Sequence, residues 1–179
     1  MNFKYRYLFL ILLISFEGLA QTGPGGVGNN DGTSELIIWY RPDNGISTTG
    51  TLVNSWINSA GVNAFNISET TTRRPTLVGN VINGYDEVSF SGGTRLRTGL
   101  TLTTSNFIID QASSFIVTKA DNTSQRTSAY STDGLTGNRF QAHIPWANTV
   151  YFDIGNCCGS TSRLQVSGLS NLTSYSIFT

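Results

Sequence analysis

The chain consists largely of short apolar runs in which hydrophobic and polar side chains alternate with a period of two. Such alternation predicts β-strands, whereas no window of twelve residues shows the 3.6-residue period of an amphipathic helix. The densest runs predict a first strand at residues 36–40 and a fully buried strand at 114–118. Further strands are predicted at 52–56, 87–90, 107–109, 126–131, 140–144, 149–154, 163–166 and 174–178.

Turn-forming residues separate these runs at intervals of about ten residues. Asn83-Gly84, for example, joins an extended segment at 74–78 to the strand at 87–90. Many short strands with this spacing predict an all-β fold, an antiparallel β-sandwich of the jelly-roll type. Because no turn or polar tail follows the last run, at 175–179, we expect the sandwich to be incomplete at its C-terminus. The alternative is that this run is the true last strand.

The first twenty residues have the pattern of a secretory signal peptide. Lys4 and Arg6 precede an apolar stretch at 8–16, and Gly18-Leu19-Ala20 supplies the small residues that a signal peptidase recognises. The stretch is shorter than the ~20 residues of a spanning helix, so we predict a signal peptide at 1–20 rather than a membrane anchor. No later segment is apolar enough to span a bilayer, and the protein is predicted to be secreted or held at the cell surface.

Composition narrows the range of partners. Residues 21–33 are rich in glycine and asparagine, and they predict a flexible lead-in to one domain at 34–179. Charged residues make up 12% of the chain, about half of the usual ~25%. Removal of residues 1–20 would leave nine basic and ten acidic side chains. This balance argues against nucleic acid or an anionic membrane as the main partner, because both require a basic surface.

The block at 74–92 carries a family resemblance together with its neighbours. The motifs, in chain order, are Leu36-Ile37-Ile38-Trp39-Tyr40, Asp43-Asn44-Gly45, Trp56-Ile57-Asn58-Ser59-Ala60-Gly61, Arg74-Pro75-Thr76, Asn83-Gly84, Phe90-Ser91-Gly92 and the run 146–156. Over 34–179 the chain resembles the concanavalin A-like, laminin-G-like jelly-roll domains of secreted Bacteroidota surface proteins. The resemblance implies a sandwich within a longer protein that has further domains, and it specifies fold better than function. Asn58 and Ser91 stand where the family usually has Asp.

Calcium is the ion best suited to the oxygen ligands in this sequence. Asp43 and Asn44 in the first turn are candidate ligands, and so are Asp153 and Asn156 beside a later loop. The alternative is that these side chains bond to their own backbone, as Asp and Asn commonly do in turns.

Cys157 and Cys158 are adjacent and are the only cysteines. Neighbouring Cα atoms lie ~3.8 Å apart, whereas ordinary disulfides span ~4.4–6.8 Å, so a bridge between them would be strained. Three states remain open: a vicinal disulfide, two thiols with partners outside this sequence, and free thiols. Two adjacent thiolates and one distant histidine do not form a tetrahedral metal site.

The remaining candidates concern ligands and catalysis. Trp56, Trp146 and Tyr151 could stack on sugars where they are exposed, the alternative being that they belong to the core. His143, the only histidine, lies in a strand pattern, which favours a sheet-face residue over a catalytic base. Glycosidases need two carboxylates at a defined separation, and the adjacent Asp86-Glu87 pair points to opposite faces of a strand.

These observations predict a non-catalytic extracellular module that binds a carbohydrate or protein ligand or mediates adhesion. One alternative is a structural spacer that presents neighbouring modules. A weaker alternative is a laminarinase-like glycoside hydrolase.

Overall fold

The computed structural model describes residues 22–100, 112–132, 139–155 and 161–179, and their fold is all-β. Besides 3₁₀ turns at Pro24–Gly26 and Asn63–Phe65, regular structure in these ranges consists of eleven strands, and every pairing is antiparallel. The chain divides into two compact units, Met1–Leu100 and Thr101–Thr179. None of the described residues forms a helix with the length and apolar character needed to cross a membrane.

The first unit contains one five-stranded sheet. β1, β2, β4 and β5 lie side by side in that order, and β3 also pairs with β2. The strands predicted at 52–56 and 87–90 are present, whereas β1 was not predicted because its sequence is polar and mostly exposed. The strands are β1 (Ile46–Thr49), β2 (Leu52–Trp56), β3 (Ile67–Ser68), β4 (Thr76–Ile82) and β5 (Tyr85–Ser89).

A two-residue turn joins β4 to β5 as the sequence predicted. Asn83 and Gly84 have φ angles of 50° and 81°, the left-handed values that a type I′ hairpin turn requires. Ile82 pairs with Tyr85 across the turn, and Thr76 pairs with Leu52 of β2. The block at 74–92 is therefore a hairpin added to the edge of β2.

Residues 36–40 do not form the predicted strand, because a side chain takes the place of a pairing neighbour. The Trp39 N–H donates to Asn58 Oδ1 at 2.8 Å, and Asn58 Nδ2 donates to the Ile37 carbonyl at 2.8 Å. The Ser59 N–H donates to the Trp39 carbonyl at 2.8 Å. The apolar pattern did not show that the Asn58 side chain satisfies this stretch of backbone.

The lead-in has defined hydrogen bonds of its own and lies close to the loop that follows Asn58. The Asn30 N–H donates to Thr22 Oγ1 at 2.9 Å, and the Asn29 N–H donates to Ser34 Oγ at 2.8 Å. Gly61 has a φ of 79°, and a Cβ built on it would lie 2.6 Å from the Asp31 carbonyl carbon. Only glycine allows this approach of the two backbones.

The second unit contains a four-stranded sheet and a two-stranded sheet. The larger sheet has the order β10-β9-β8-β7, so each strand pairs with its neighbour in sequence, while β6 pairs with β11. The strand predicted at 126–131 has the observed bounds. The strands are β6 (Ile116–Thr118), β7 (Arg126–Ser131), β8 (Arg139–Trp146), β9 (Thr149–Gly155), β10 (Arg163–Ser167) and β11 (Ser176–Phe178).

The core of this unit lies on one face of the larger sheet. Ala142, Ile144, Val150 and Leu172 are buried there, and Ile116 of β6 and Phe178 of β11 pack against them. The prediction of a fully buried strand at 114–118 is wrong, since Phe115 and Val117 are exposed and the strand is shorter. Alternation along β8 and β9 places polar side chains on the face opposite this core.

Several sequence predictions lie outside the described residues. They are the signal peptide at 1–20, the strand at 107–109 and the site candidates Asn156, Cys157 and Cys158.

Candidate functional site

The face of the larger sheet opposite its core carries three rows of polar and aromatic residues, which we call the outer strip. Residues directly paired across antiparallel strands share a face, so the strand register defines the rows. The rows are Arg126, Trp146, Thr149 and Ser167; Ser128, His143, Tyr151 and Gln165; and Ser131, Gln141, Asp153 and Arg163.

A buried ion pair anchors the third row. Asp153 is 1% exposed, and its two carboxylate oxygens accept hydrogen bonds from Arg163 Nε at 2.5 Å and Nη2 at 2.7 Å. Gln141 Nε2 also donates to Asp153 Oδ2, at 2.8 Å. The hydrogen bonds from Arg163 lower the pKa of Asp153, against the opposing effect of burial. The Asp153 carboxylate is therefore ionised, and both of its oxygens accept hydrogen bonds from neighbouring side chains.

Gln141 fixes the tautomer of His143. The Gln141 nitrogen that donates to Asp153 also lies 3.1 Å from His143 Nε2, and that ring nitrogen must accept because an amide nitrogen only donates. The proton is thereby assigned to Nδ1, which donates to Ser128 Oγ at 2.8 Å. Burial lowers the pKa of His143, although the Asp153 carboxylate raises it.

Ser128, His143 and Asp153 are the three residue types of a serine-hydrolase catalytic triad. The tautomer of His143 decides whether they could act as one. A triad histidine removes a proton from the serine while the carboxylate holds its other nitrogen. Here Nδ1 donates to Ser128, and His143 Nε2 lies 3.8 Å from Asp153 Oδ2. In this hydrogen-bonding state His143 cannot accept the proton of Ser128.

Trp146 presents the most accessible aromatic ring of the strip. Its side chain is 40% exposed, the His143 ring lies 4.9 Å away between centroids, and the Arg126 guanidinium lies 5.9 Å from its ring. Arg126 is its direct partner in the register. The indole therefore lies between a neutral imidazole and a cation, with part of its surface open to solvent.

A tight turn fixes the position of Trp146 at the end of β8. Ala147 and Asn148 both have positive φ angles, 49° and 68°, and Trp146 pairs with Thr149 across the turn. The Ala147 N–H donates to the Gln125 carbonyl at 3.0 Å, and the Asn148 N–H donates to the Thr123 carbonyl at 2.7 Å. These bonds attach the turn to the segment before β7.

The other two predicted aromatic candidates have different surroundings. The Arg163 guanidinium covers the half-buried Tyr151 ring, 4.3 Å from its centroid. Trp56 belongs to the first unit, where its indole Nε1 donates to the Arg41 carbonyl at 2.8 Å and its ring contacts Tyr40. The strip thus includes Trp146 and Tyr151, and of these Trp146 offers the open platform.

The three predicted calcium ligands that lie in the described ranges, Asp43, Asn44 and Asp153, have protein partners. Asp43 Oδ1 accepts from Arg41 Nε at 3.0 Å and Oδ2 from Nη2 at 2.7 Å, which lowers the pKa of Asp43. Asn44 Nδ2 donates to Ser59 Oγ at 3.4 Å. Asp153 is bound to Arg163, as described. Within the described ranges, no three His, Cys, Asp or Glu residues are grouped so as to hold a metal ion.

Sequence reasoning did not select Arg126, Ser128, Gln141 or Arg163. Each lies in a correctly predicted strand, but only the register across β7 to β10 brings them together. Alternation along each strand was the available signal. Within β8 it places Gln141 and His143 on the same face, and within β9 it places Tyr151 and Asp153 on the same face. It does not show that these are the same face of the sheet.

Comparison with known proteins returned no match, whether against models of protein families, curated proteins or solved structures. The outer strip and the fold that presents it are therefore the features that bear on function.

Proposed function

We propose that the chain is a non-catalytic extracellular binding module whose ligand face is the outer strip. The observation that carries this proposal is Trp146, a partly exposed indole held between His143 and Arg126 on a polar sheet face. Aromatic rings beside hydrogen-bonding groups suit ligands that have both apolar and polar surfaces, and a sugar ring is such a ligand.

The proposed fold is a β-sandwich of the jelly-roll type, as the resemblance to concanavalin A-like, laminin-G-like domains implies. The packing of Ile116 and Phe178 against the inner face of the larger sheet supports a two-layered arrangement in the second unit. The extracellular location is proposed from the signal-peptide pattern at residues 1–20.

The arrangement of Asp153 and His143 does not support a hydrolytic function. A glycosidase acid or nucleophile must reach the scissile bond, whereas Asp153 is buried and bound by Arg163 and Gln141. The proposed role is accordingly binding and not laminarinase-like cleavage.

A structural spacer is the second candidate. Val117 and Ile177 pair directly across β6 and β11, and both point outward and are exposed, Val117 by 61%. Apolar side chains in this position favour contact with an adjoining module. A spacer would use this surface and leave the outer strip without a ligand.

Binding of the secreted chain to arrayed neutral glucans, acidic polysaccharides and matrix proteins tests the proposal. We expect Trp146→Ala to weaken the binding observed by roughly tenfold or more, because it removes the stacking surface. Tyr85→Ala is the matched control, since Tyr85 is an exposed aromatic residue of the β4–β5 hairpin. Equal binding by Trp146→Ala and the unmodified chain would contradict the assignment of the face, and no binding to any ligand would favour the spacer.

A further inference from the structure

We infer that the outer strip takes a polysaccharide that carries carboxylate groups, with Trp146 beneath one sugar ring and arginines near both ends. This inference rests on the proposed function of the same face and adds the charge of the ligand. It follows from the distribution of paired and unpaired charges along the strip.

Arg126 supplies a free cation beside the aromatic platform. Its side chain is exposed and forms no ion pair or hydrogen bond with any residue that the structure describes, and its guanidinium lies beside the Trp146 ring. A guanidinium stays charged at any physiological pH and presents its donors in a fork that matches a carboxylate. A sugar stacked on Trp146 would place its substituents within reach of this group.

Arg139 supplies a second cation at the opposite end of β8. It pairs with Gly155, and alternation places it on the same face as Gln141 and His143. Like Arg126, it has no carboxylate partner within the described part of the chain. Seven positions of extended strand separate Arg139 from Trp146, which corresponds to roughly 20 Å.

The residues between these arginines contribute little net charge. Arg163 is neutralised by Asp153, and the lowered pKa of His143 favours its neutral form. Ser128 and Gln165 offer uncharged polar groups in the middle row. Two separated positive charges with polar groups between them match an extended polymer with spaced carboxylates.

The same distribution disfavours a nucleic acid or an anionic membrane. Those ligands require a dense field of basic residues, and the whole chain has 11 basic and 11 acidic side chains. A neutral glycan would use Trp146 and the polar middle row and would leave both arginines unused.

The test measures binding of the full chain to polygalacturonate and to laminarin, a neutral glucan, at low and high salt in the presence of EDTA. We expect tighter binding to polygalacturonate, with affinity falling as salt screens the arginines. Arg126→Gln and Arg139→Gln should each weaken that binding by roughly tenfold, since each removes a charge-assisted contact. The matched control is Arg73→Gln, which removes an exposed arginine of the first unit.

The outcomes separate this inference from the proposed function. If laminarin binds as tightly, and neither Arg126→Gln nor Arg139→Gln changes the affinity for polygalacturonate, the acidic ligand is overturned while the binding function stands. If neither polysaccharide class binds, both fail. If polyglutamate binds as well as polygalacturonate and Trp146→Ala has no effect, the ligand is an anionic polypeptide and the inference is also overturned. Unchanged thermal unfolding of each variant excludes loss of fold as the cause.

Discussion

Asn58 uses every hydrogen-bonding position of its side chain. Its Nδ2 donates to the carbonyls of Ile37 and Val62, at 2.8 and 3.0 Å, and its Oδ1 accepts from the N–H groups of Trp39 and Ala60. It is 2% exposed. A carboxylate could accept the second pair of bonds but could not donate the first pair, so the contacts at this position require an amide.

Asn58→Asp should therefore destabilise the protein by at least about 2 kcal/mol, because two buried carbonyls lose their donors and a charge is buried near them. Urea unfolding measures the loss. Asn66→Asp is the matched control, since the Asn66 Oδ1 only accepts a bond from the Asn58 N–H and Asp preserves that acceptor. A similar loss in both variants would show that the amide donors of Asn58 are not the cause.

Glu69 makes the stability of the fold depend on pH in the acid range. Its Oε1 accepts from the N–H groups of Thr70 and Thr71, both at 3.0 Å, and its Oε2 accepts from Arg95 Nε at 3.2 Å. These bonds, led by those from Thr71, lower its pKa to about 2.

Since the folded pKa of Glu69 lies below the unfolded value, the unfolded chain binds more protons in acid. The stabilisation by Glu69 is complete above pH 4.5 and is lost as the pH falls towards about 2. We expect Glu69→Gln to flatten the dependence of unfolding free energy on pH in that window, as measured by urea unfolding at a series of pH values. Glu35→Gln changes an exposed glutamate and serves for comparison; an equally flattened profile in that variant would refute the role of Glu69.

The β4–β5 and β8–β9 hairpins have positive φ angles at both turn residues, but their sequences suit such a turn unequally. Asn83-Gly84 is the most favourable pair for a type I′ turn, whereas Ala147 has a φ of 49° and no polar side chain to support it. A left-handed conformation costs a residue with a Cβ about 1 kcal/mol. The bonds from the turn to Gln125 and Thr123 maintain this conformation next to Trp146.

Ala147→Gly should raise the free energy of unfolding by about 0.5–1 kcal/mol, because glycine adopts a positive φ without steric cost. Ala142→Gly is the same chemical change inside β8, where Ala142 is fully buried and pairs with Phe152, and it should lower stability, since glycine weakens a strand and leaves a space in the core. Thermal or urea unfolding of the two variants compares their signs. A loss of stability in both would show that the turn at Ala147 is not strained.

Strand by strand, alternation predicted β7, β9 and β10 close to their observed bounds, although only β9 of these three contains buried residues. It failed at 36–40, where the Asn58 side chain satisfies the backbone, and at β1, whose polar sequence has no apolar alternation. The rows of the outer strip could not be predicted, because the β7–β8 register shifts twice between Arg126 and Tyr130. Each such irregularity moves later side chains relative to their partners.

For the whole molecule, composition and periodicity together were sufficient for the all-β class and the antiparallel sheets. Trp146 and Tyr151 were predicted as ligand candidates because aromatic residues are conspicuous in a sequence. Arg126 and Arg139 could not be predicted as ligand contacts, since only the fold shows which carboxylates already pair with other arginines. The pairing of Arg163 with Asp153 leaves Arg126 in the outer strip, and Arg139 beyond its third row, as cations without a carboxylate partner among the described residues.

The meander β7-β8-β9-β10 also bears on the order in which the second unit assembles. Each strand of the larger sheet pairs with the next one in sequence, so its loop-closure entropy is small, whereas β6 and β11 join Ile116 to Phe178 across most of the unit. The sheet can therefore form before the pairing that covers its inner face. The outer strip would then reach its final geometry early, while the closing of β6 against β11 completes the core last.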